Sequence, residues 1–434
     1  MDFRRKPPIT PRELRLLSLT AFVAAIVLSI LIGVNIGLSR SLRGGGEFYS
    51  AWQGARAVLF DHVDPYNLNV AVQSQQLAYG RAARSGENPF YLVIPFFILP
   101  VYFPFALISD ALPAVAPARF AVDPSLVRGL WLMINEAALL ATTLLATRVI
   151  EWAPRRLFLI LLLLVSVFSF YSVTALIDGA PAILLGLLYF GILAALQSGR
   201  DELAGALLVL AFFHWAVGLF FVVLVLWRVN RERRYRVFYG FGMLLAVLLI
   251  ASFLMDRSWL IPFLRSALSD LRSDYGYRSG VVLFRLWPGS GTAGGWILTA
   301  GLIMLLGYEW YCSRDRDFRQ FVWTCCLTLA ATPLLGFRLE LGDLSILYPA
   351  LALVFATAVE RWHHGYWLNV LLALIVLLLP WGLFVRSVTY LSQLYGDLLF
   401  VFCPVFTILG LYWTRWWFIR PPRTWLDYAR SSRS

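Results

Sequence analysis

Long apolar stretches, broken by short arginine-rich or polar segments, run along almost the whole chain. Leu16–Leu38, Leu126–Thr147, Leu157–Ala175, Ala182–Leu196, Val237–Leu254, Trp296–Tyr311, Phe321–Leu335, Leu344–Val359, Trp367–Val385 and Leu398–Tyr412 carry few charges. They approach the roughly 20 residues a helix needs to cross a bilayer. Phe90–Ile108 and Leu203–Trp227 are also apolar, but the first holds Pro95, Pro100 and Pro104 and the second is interrupted at His214. Each proline removes a backbone donor, which predicts a broken helix in the first. No strand-like alternation competes, so a helical bundle is expected rather than a barrel. The pattern predicts an all-α, polytopic transmembrane bundle of about 10–13 membrane helices. It forms a single domain over 16–414, between an N-terminal segment 1–15 and a C-terminal tail 415–434.

Arginines punctuate the ends of these stretches, and positive charge collects on the cytoplasmic side of a membrane. The clusters at Arg4, Arg5 and Lys6, at Arg148, Arg155 and Arg156, at Arg228–Arg236, at Arg314–Arg319 and from Arg415 onward put both termini in the cytoplasm of a multi-pass protein of the cell membrane. Counting spans against them works if Phe90–Pro124 and Leu203–Trp227 each cross an even number of times, as re-entrant or hairpin elements. Leu16–Leu38 is too long for a signal-peptide core and reads as a retained first span. The polar mass then lies in external loops, 39–89 and 255–292, with shorter turns at Asp178–Pro181 and Arg338–Asp343. Glu136, inside a span, is expected to hydrogen-bond a neighbouring helix.

Composition agrees: 60% of the 434 residues are hydrophobic and 14% charged, with a mean hydropathy of +0.71. Lipid must be the main solvent of such a chain. The net charge of +12 is a topology signal, not a nucleic-acid footprint. Three of the four cysteines fall inside apolar stretches and Cys312 ends one, without disulfide or zinc spacing. No Walker-type loop or dinucleotide-binding glycine pattern occurs, which disfavours an ATP-driven pump. Neither a cofactor nor a metal site is expected.

After Gly44-Gly45-Gly46-Glu47, the residues Phe48, Trp52, Ala55 and Leu59 recur at helical spacing opposite Gln53 and Arg56. That pattern predicts an amphipathic helix lying in the membrane interface. Glu47 at its start is either a first-turn carboxylate favoured by the helix dipole or a general base held beside an acceptor hydroxyl. Asp61 and Asp64 follow, with Asp64-Pro65-Tyr66 reading as a turn. Across the second loop Arg257, Arg265, Arg272, Arg278 and Arg285 recur every six to eight residues between leucines. They can meet lipid headgroups or clamp a phosphate, which guanidinium binds in a bidentate way. Arg278 and Arg285, nearest the next span, are the preferred phosphate ligands. His214 is an ionisable group among Phe212, Phe213 and Trp215, so it is either an interhelical hydrogen-bonder or a working group. Arg338, Glu340 and Asp343 either line a cavity or pair with one another. Asp178 is the expected second acid.

The run Glu47-Phe48, then Ala55-Arg56-Ala57-Val58-Leu59, then Asp64-Pro65-Tyr66 resembles the first external loop of family 87 glycosyltransferases, membrane mannosyltransferases of the GT-C superfamily. The resemblance continues in order through Pro89-Phe90-Tyr91 with Pro95 and Pro100, Gly179-Ala180-Pro181-Ala182, Ala204-Gly205 with His214-Trp215 and Arg231–Arg234, and Tyr277-Arg278-Ser279 with Arg285. It implies a GT-C-like fold and a polyprenyl-phosphate-sugar donor, with an acid at the position of Glu47 as catalytic base. It also implies substrate contacts at Asp64, Tyr66, Tyr91, His214, Arg278, Ser279 and Arg285, while Asp61 and Arg338 are candidate substrate contacts on their own chemistry. The chain departs from the family at several places: Glu stands for Asp at 47, Ala-Pro-Ala follows Gly179 where Gln-x-Asn is usual, and His214-Trp215 replaces Lys-Pro.

Two functions follow. The first is an inverting transfer of a hexose, mannose in the family, from a lipid-linked donor to a lipid or glycan acceptor on the external face. The second is a lipid or glycolipid transport protein that keeps the fold without transfer, which the lost Gln, Asn and Lys favour.

Overall fold

A computed structural model describes residues 26–419 apart from 27, 116–122 and 363. The basic N-terminal segment, the first half of Leu16–Leu38 and the tail beyond 419 lie outside the described residues. The described residues form helices joined by irregular segments such as 80–95, with one β-bridge, which pairs Tyr277 with Leu339.

Among the described residues six helices are long and apolar enough to cross a membrane, counting Asp201–Arg231 as one, or seven if the pair Arg156–Phe168 and Phe170–Asp178, bent by 46°, is one span. This is fewer than the ten to thirteen expected, because several apolar stretches form short helices. Ala182–Gln197 has 16 residues and Phe318–Ala331 has 14, which at about 1.5 Å per residue fall short of the hydrocarbon thickness of roughly 30 Å. The chain is nonetheless built as a multi-pass membrane bundle. Tyr235–Met255 turns Tyr239, Met243, Val247, Ile250 and Leu254 outward, whereas Leu341–Arg361 is buried through almost its whole length. Apolar side chains on both outside and inside are the signature of a helix bundle solvated by lipid.

Asp201–Arg231 is apolar and helical from end to end, yet it is not one straight rod. A straight helix of 31 residues would hold its ends about 46 Å apart. Arg234, just past the far end, instead forms an ion pair with Asp201 and donates to the Leu196 carbonyl at 2.9 Å. The chain climbs through Asp201–Leu210 and the 3-10 turn Ala211–His214, reverses at His214 (φ −139°, ψ 88°), and descends as Trp215–Arg231. The expected bend at His214 is therefore where the hairpin turns. Phe90–Pro124 likewise begins and ends at one level: Pro95 precedes a 3-10 helix Phe96–Tyr102 containing Pro100, Phe103–Val115 follows, and Asp123 pairs with Arg40 at 3.0 Å.

The arginines of the described clusters gather at one end of the bundle. Arg228 donates to the carbonyls of Ser313, Arg314 and Arg316, Glu151 accepts from Gln197 at 3.1 Å, and Arg415 bonds Glu309 at 2.6 Å. The opposite end carries both polar loops. Within the bundle Glu136 accepts from Asn35 at 2.9 Å, the interhelical bond expected of it.

One expectation fails here. Gly46–Arg56 does not lie in the membrane interface but is buried on all sides, Tyr49, Ser50, Gln53 and Gly54 included. The polar face seen in the sequence is satisfied internally: Arg56 makes two 2.7 Å bonds to Asp110 and a 3.0 Å bond to Gln53. Helix Leu68–Tyr79, capped by Asn67, covers it. The amphipathic surface helix is Leu260–Arg272 in the second loop. It exposes Ile261, Leu264 and Leu268 and anchors its other face through Ser266 to the Leu92 carbonyl at 2.7 Å.

Candidate functional site

The loop before Gly46–Arg56 is threaded through a space that tolerates no side chains. Gly45 is left-handed (φ 77°), and a Cβ there would lie 2.6 Å from Arg128 Nε. A Cβ on Gly46 would enter the Phe90 ring at 1.9 Å. Gly45 N–H donates to the Ile177 carbonyl at 2.8 Å. Arg128, 3% exposed, locks the junction by donating to the carbonyls of Ser39 (3.2 Å), Leu42 (2.7 Å) and Ile177 (2.8 Å). Those carbonyls belong to helix C-terminal turns, which lack intrahelical donors. Gly179 (φ 71°) packs against Phe48, and its carbonyl accepts from Trp131 Nε1 at 3.1 Å. Two glycine turns and one buried arginine thus fix the helix start that carries Glu47.

Glu47 faces a cavity of about 490 Å³ at the end of the bundle that bears the polar loops. His214, at the hairpin turn, enters from another side, and Arg278 and Arg338 from the second loop and the segment before Leu341–Arg361. Ser50, Asn88, Tyr91, Asp270, Tyr275, Glu340 and Asp343 add to its polar lining. Glu340 and Asp343 form a capping box at the turn Leu341–Leu347: the Asp343 carboxylate accepts from Glu340 N–H at 2.9 Å. Asn88 donates to Glu340 Oε1 at 2.6 Å. His214 Nε2 lies 3.6 Å from Asp343 Oδ1.

Arg338 does not pair with its sequence neighbours. Its guanidinium binds the Asp270 carboxylate and carbonyl and sits 4.0 Å from the Tyr275 ring centre. Tyr275 OH donates to Asp270 Oδ1 at 2.7 Å. Arg278 donates to the Leu271 carbonyl at 2.7 Å.

Enclosure shapes the acids. Burial, reinforced by the neighbouring charges of Glu340, Asp343, Asp178 and Asp270, pushes the Glu47 carboxyl well above the usual carboxylate range. Burial, with Asp178 and Asp343 adding to it, pushes Glu340 up to about 8 against the opposing pull of Asn88 and Arg338. Both effects disfavour the charged form.

Of the residues expected at a site, Glu47, Tyr91, His214, Arg278 and Arg338 share this cavity. Asp178 stands behind its wall and acts on it only through charge. The others lie elsewhere. Asp61 is exposed, as a solvated turn acid would be. Asp64 accepts from the Tyr66 N–H at 2.9 Å, and Tyr66 OH donates to the Ile94 carbonyl at 3.0 Å while its ring meets Phe263. That turn is structural. Ser279 is buried and donates to the Leu334 carbonyl at 2.9 Å. Arg285 is no free phosphate ligand, because it binds Asp397, 1% exposed, at 2.6 Å.

Sequence reasoning passed over Asn88, Tyr275 and Asp270. Asp270 had a signal, being the one acid within Leu260–Arg272 amid the arginine series.

Comparison with family models, with curated proteins and with solved structures finds no match for this chain.

Proposed function

We propose that the chain is a membrane transferase that moves a hexose from a polyprenyl-phosphate donor to a lipid or glycan acceptor in this cavity. One observation carries the reading: Glu47, His214 and Arg278, far apart in sequence, converge on a single enclosed space. Glu47 takes the proton of the acceptor hydroxyl as its oxygen attacks the anomeric carbon. The bond from that carbon to the phosphate oxygen breaks, the centre inverts, and polyprenyl phosphate leaves with the bonding pair. Arg278 neutralises the charge gathering on that phosphate, a cation placed where charge develops. Because burial raises Glu47, it is a strong base once ionised, and transfer should rise with pH as it loses its proton.

Incubating the purified protein with labelled polyprenyl-phosphate sugars and mixed lipid acceptors tests this. Glu47→Gln should lower transfer by about 10²- to 10⁴-fold, the usual weight of a general base. Full-rate transfer by Glu47→Gln, or none by wild type from any donor, overturns the mechanism.

A second reading, lipid or glycolipid transport, is favoured by the same burial, which disfavours the charged form of Glu47 that a general base needs. Wild type that moves lipid between leaflets and transfers no sugar would select it.

A further inference from the structure

The acids around the cavity outnumber the donors that reach them. Four carboxylates, Glu47, Asp270, Glu340 and Asp343, face the guanidiniums of Arg278 and Arg338 and the imidazole of His214. Arg338 is committed to Asp270, which leaves Glu47, Glu340 and Asp343. Glu340 receives the neutral Asn88 amide and the backbone N–H of the capping box. Asp343 Oδ2 receives a backbone N–H, but Asp343 Oδ1 has no hydrogen-bond donor among the described residues. Its side chain is 2% exposed, lines the cavity, and has His214 Nε2 at 3.6 Å, beyond a good hydrogen bond. A buried carboxylate oxygen without a donor is costly unless something binds there.

We propose that this cavity binds a ligand bearing a primary ammonium group, which donates to Asp343 Oδ1 and sits among Glu340 and Glu47. The surroundings suit an organic cation. Phe213, Trp215 and Phe337 line the same space as the acids, and aromatic faces attract ammonium groups. A metal ion fits less well: among the described residues no three histidine, cysteine or carboxylate groups come close enough to share one. An ammonium has three donors and needs no such convergence.

The assignment of a role rests on the transferase reading. Within it the ammonium belongs to the acceptor, on an amino sugar or an aminoalkyl headgroup. Its arrival would favour the ionised form of Glu47, so the base is activated as the acceptor is seated.

The test uses the full chain in phosphatidylcholine nanodiscs, which carry no primary amine. Binding of glucosamine, N-acetylglucosamine and ethanolamine phosphate is measured by calorimetry near neutral pH. Glucosamine or ethanolamine phosphate should bind at least tenfold more tightly than N-acetylglucosamine, and whichever is tighter separates amino sugar from headgroup. Asp343→Asn, which keeps an oxygen for the Glu340 N–H, should erase that preference, and Glu340→Gln should weaken it. Unchanged unfolding midpoints exclude misfolding, and Asp61→Asn serves as the remote control. Equal binding of all three probes, no binding of either amine, or a preference that survives both variants overturns the inference. Transfer to amine-free acceptors without amine preference would defeat it while leaving the transferase reading intact. Amine binding without transfer from any donor would do the reverse.

Discussion

Replacing Gly46 by alanine should displace the proposed base without touching it. The added methyl would sit 1.9 Å from Phe90 Cζ and 2.2 Å from Cε1. Carbon atoms pack at about 3.5–4.0 Å, so the ring must retreat by roughly 1.5–2 Å. It has nowhere to go, being 8% exposed and stacked on Tyr79 at 5.0 Å between centroids. Overpacking of this kind costs about 1–3 kcal/mol. Phe90→Ala alone should cost about 3–5 kcal/mol through the cavity it leaves. In the double variant the clash is gone, so its cost should fall below the sum of the singles by about 1–3 kcal/mol, a coupling typical of touching residues. The assay is reversible unfolding in mixed micelles, followed by tryptophan fluorescence, on all four proteins of the cycle. Transfer should drop more than tenfold in Gly46→Ala, since small misplacements of a reacting group are costly. Costs that add to within about 0.5 kcal/mol would refute the claim that Phe90 is what forces glycine at 46.

Three further outcomes are expected. Glu340, raised from an ordinary 4.5 to about 8, binds a proton in the folded state that the unfolded state has released. Stability is therefore highest below pH 4.5 for this group and declines as pH rises to about 8; the unfolding midpoint should show that slope, and Glu340→Gln should flatten it. Arg285→Ala should destabilise by about 3–5 kcal/mol, because it strands a buried Asp397. Asp397→Ala should cost less, since it frees an arginine whose side chain is 33% exposed, and the two unfolding curves compare them directly. Asp61→Asn and Ser279→Ala should leave transfer within about twofold of wild type, the second losing about 1 kcal/mol of stability with its buried hydrogen bond.

Hydropathy alone was enough to read a helical membrane bundle, because lipid allows the chain few alternatives. The hairpin was legible too, from charge parity and from one histidine in an apolar run. What escaped was the number of full crossings, since apolar length does not reveal where a 3-10 turn or a 46° bend will cut a stretch. The amphipathic pattern of the first loop misled because Arg56 finds Asp110, 54 residues away, a pairing no local periodicity contains. His214 stood out as an ionisable group in an apolar stretch, Glu47 by its place at the start of the first loop's helix, and Arg278 by the arginine spacing of the second loop. Asp270 did not, because its value comes from Arg338, and Arg285 was overrated because Asp397 was out of view. Long-range ion pairs decide which arginines stay available, and a linear chain does not announce them.

The bond from Trp131 to the Gly179 carbonyl fixes a depth. Helix Pro124–Val149 begins seven residues before Trp131, about 10 Å of rise, so the turn beside Glu47 lies well below the rim of its own neighbour. A group reaching Glu47 from the start of Pro124–Val149 has to pass about two turns of that helix, which suits a group delivered on a flexible tether and hinders one fixed to a rigid bulk.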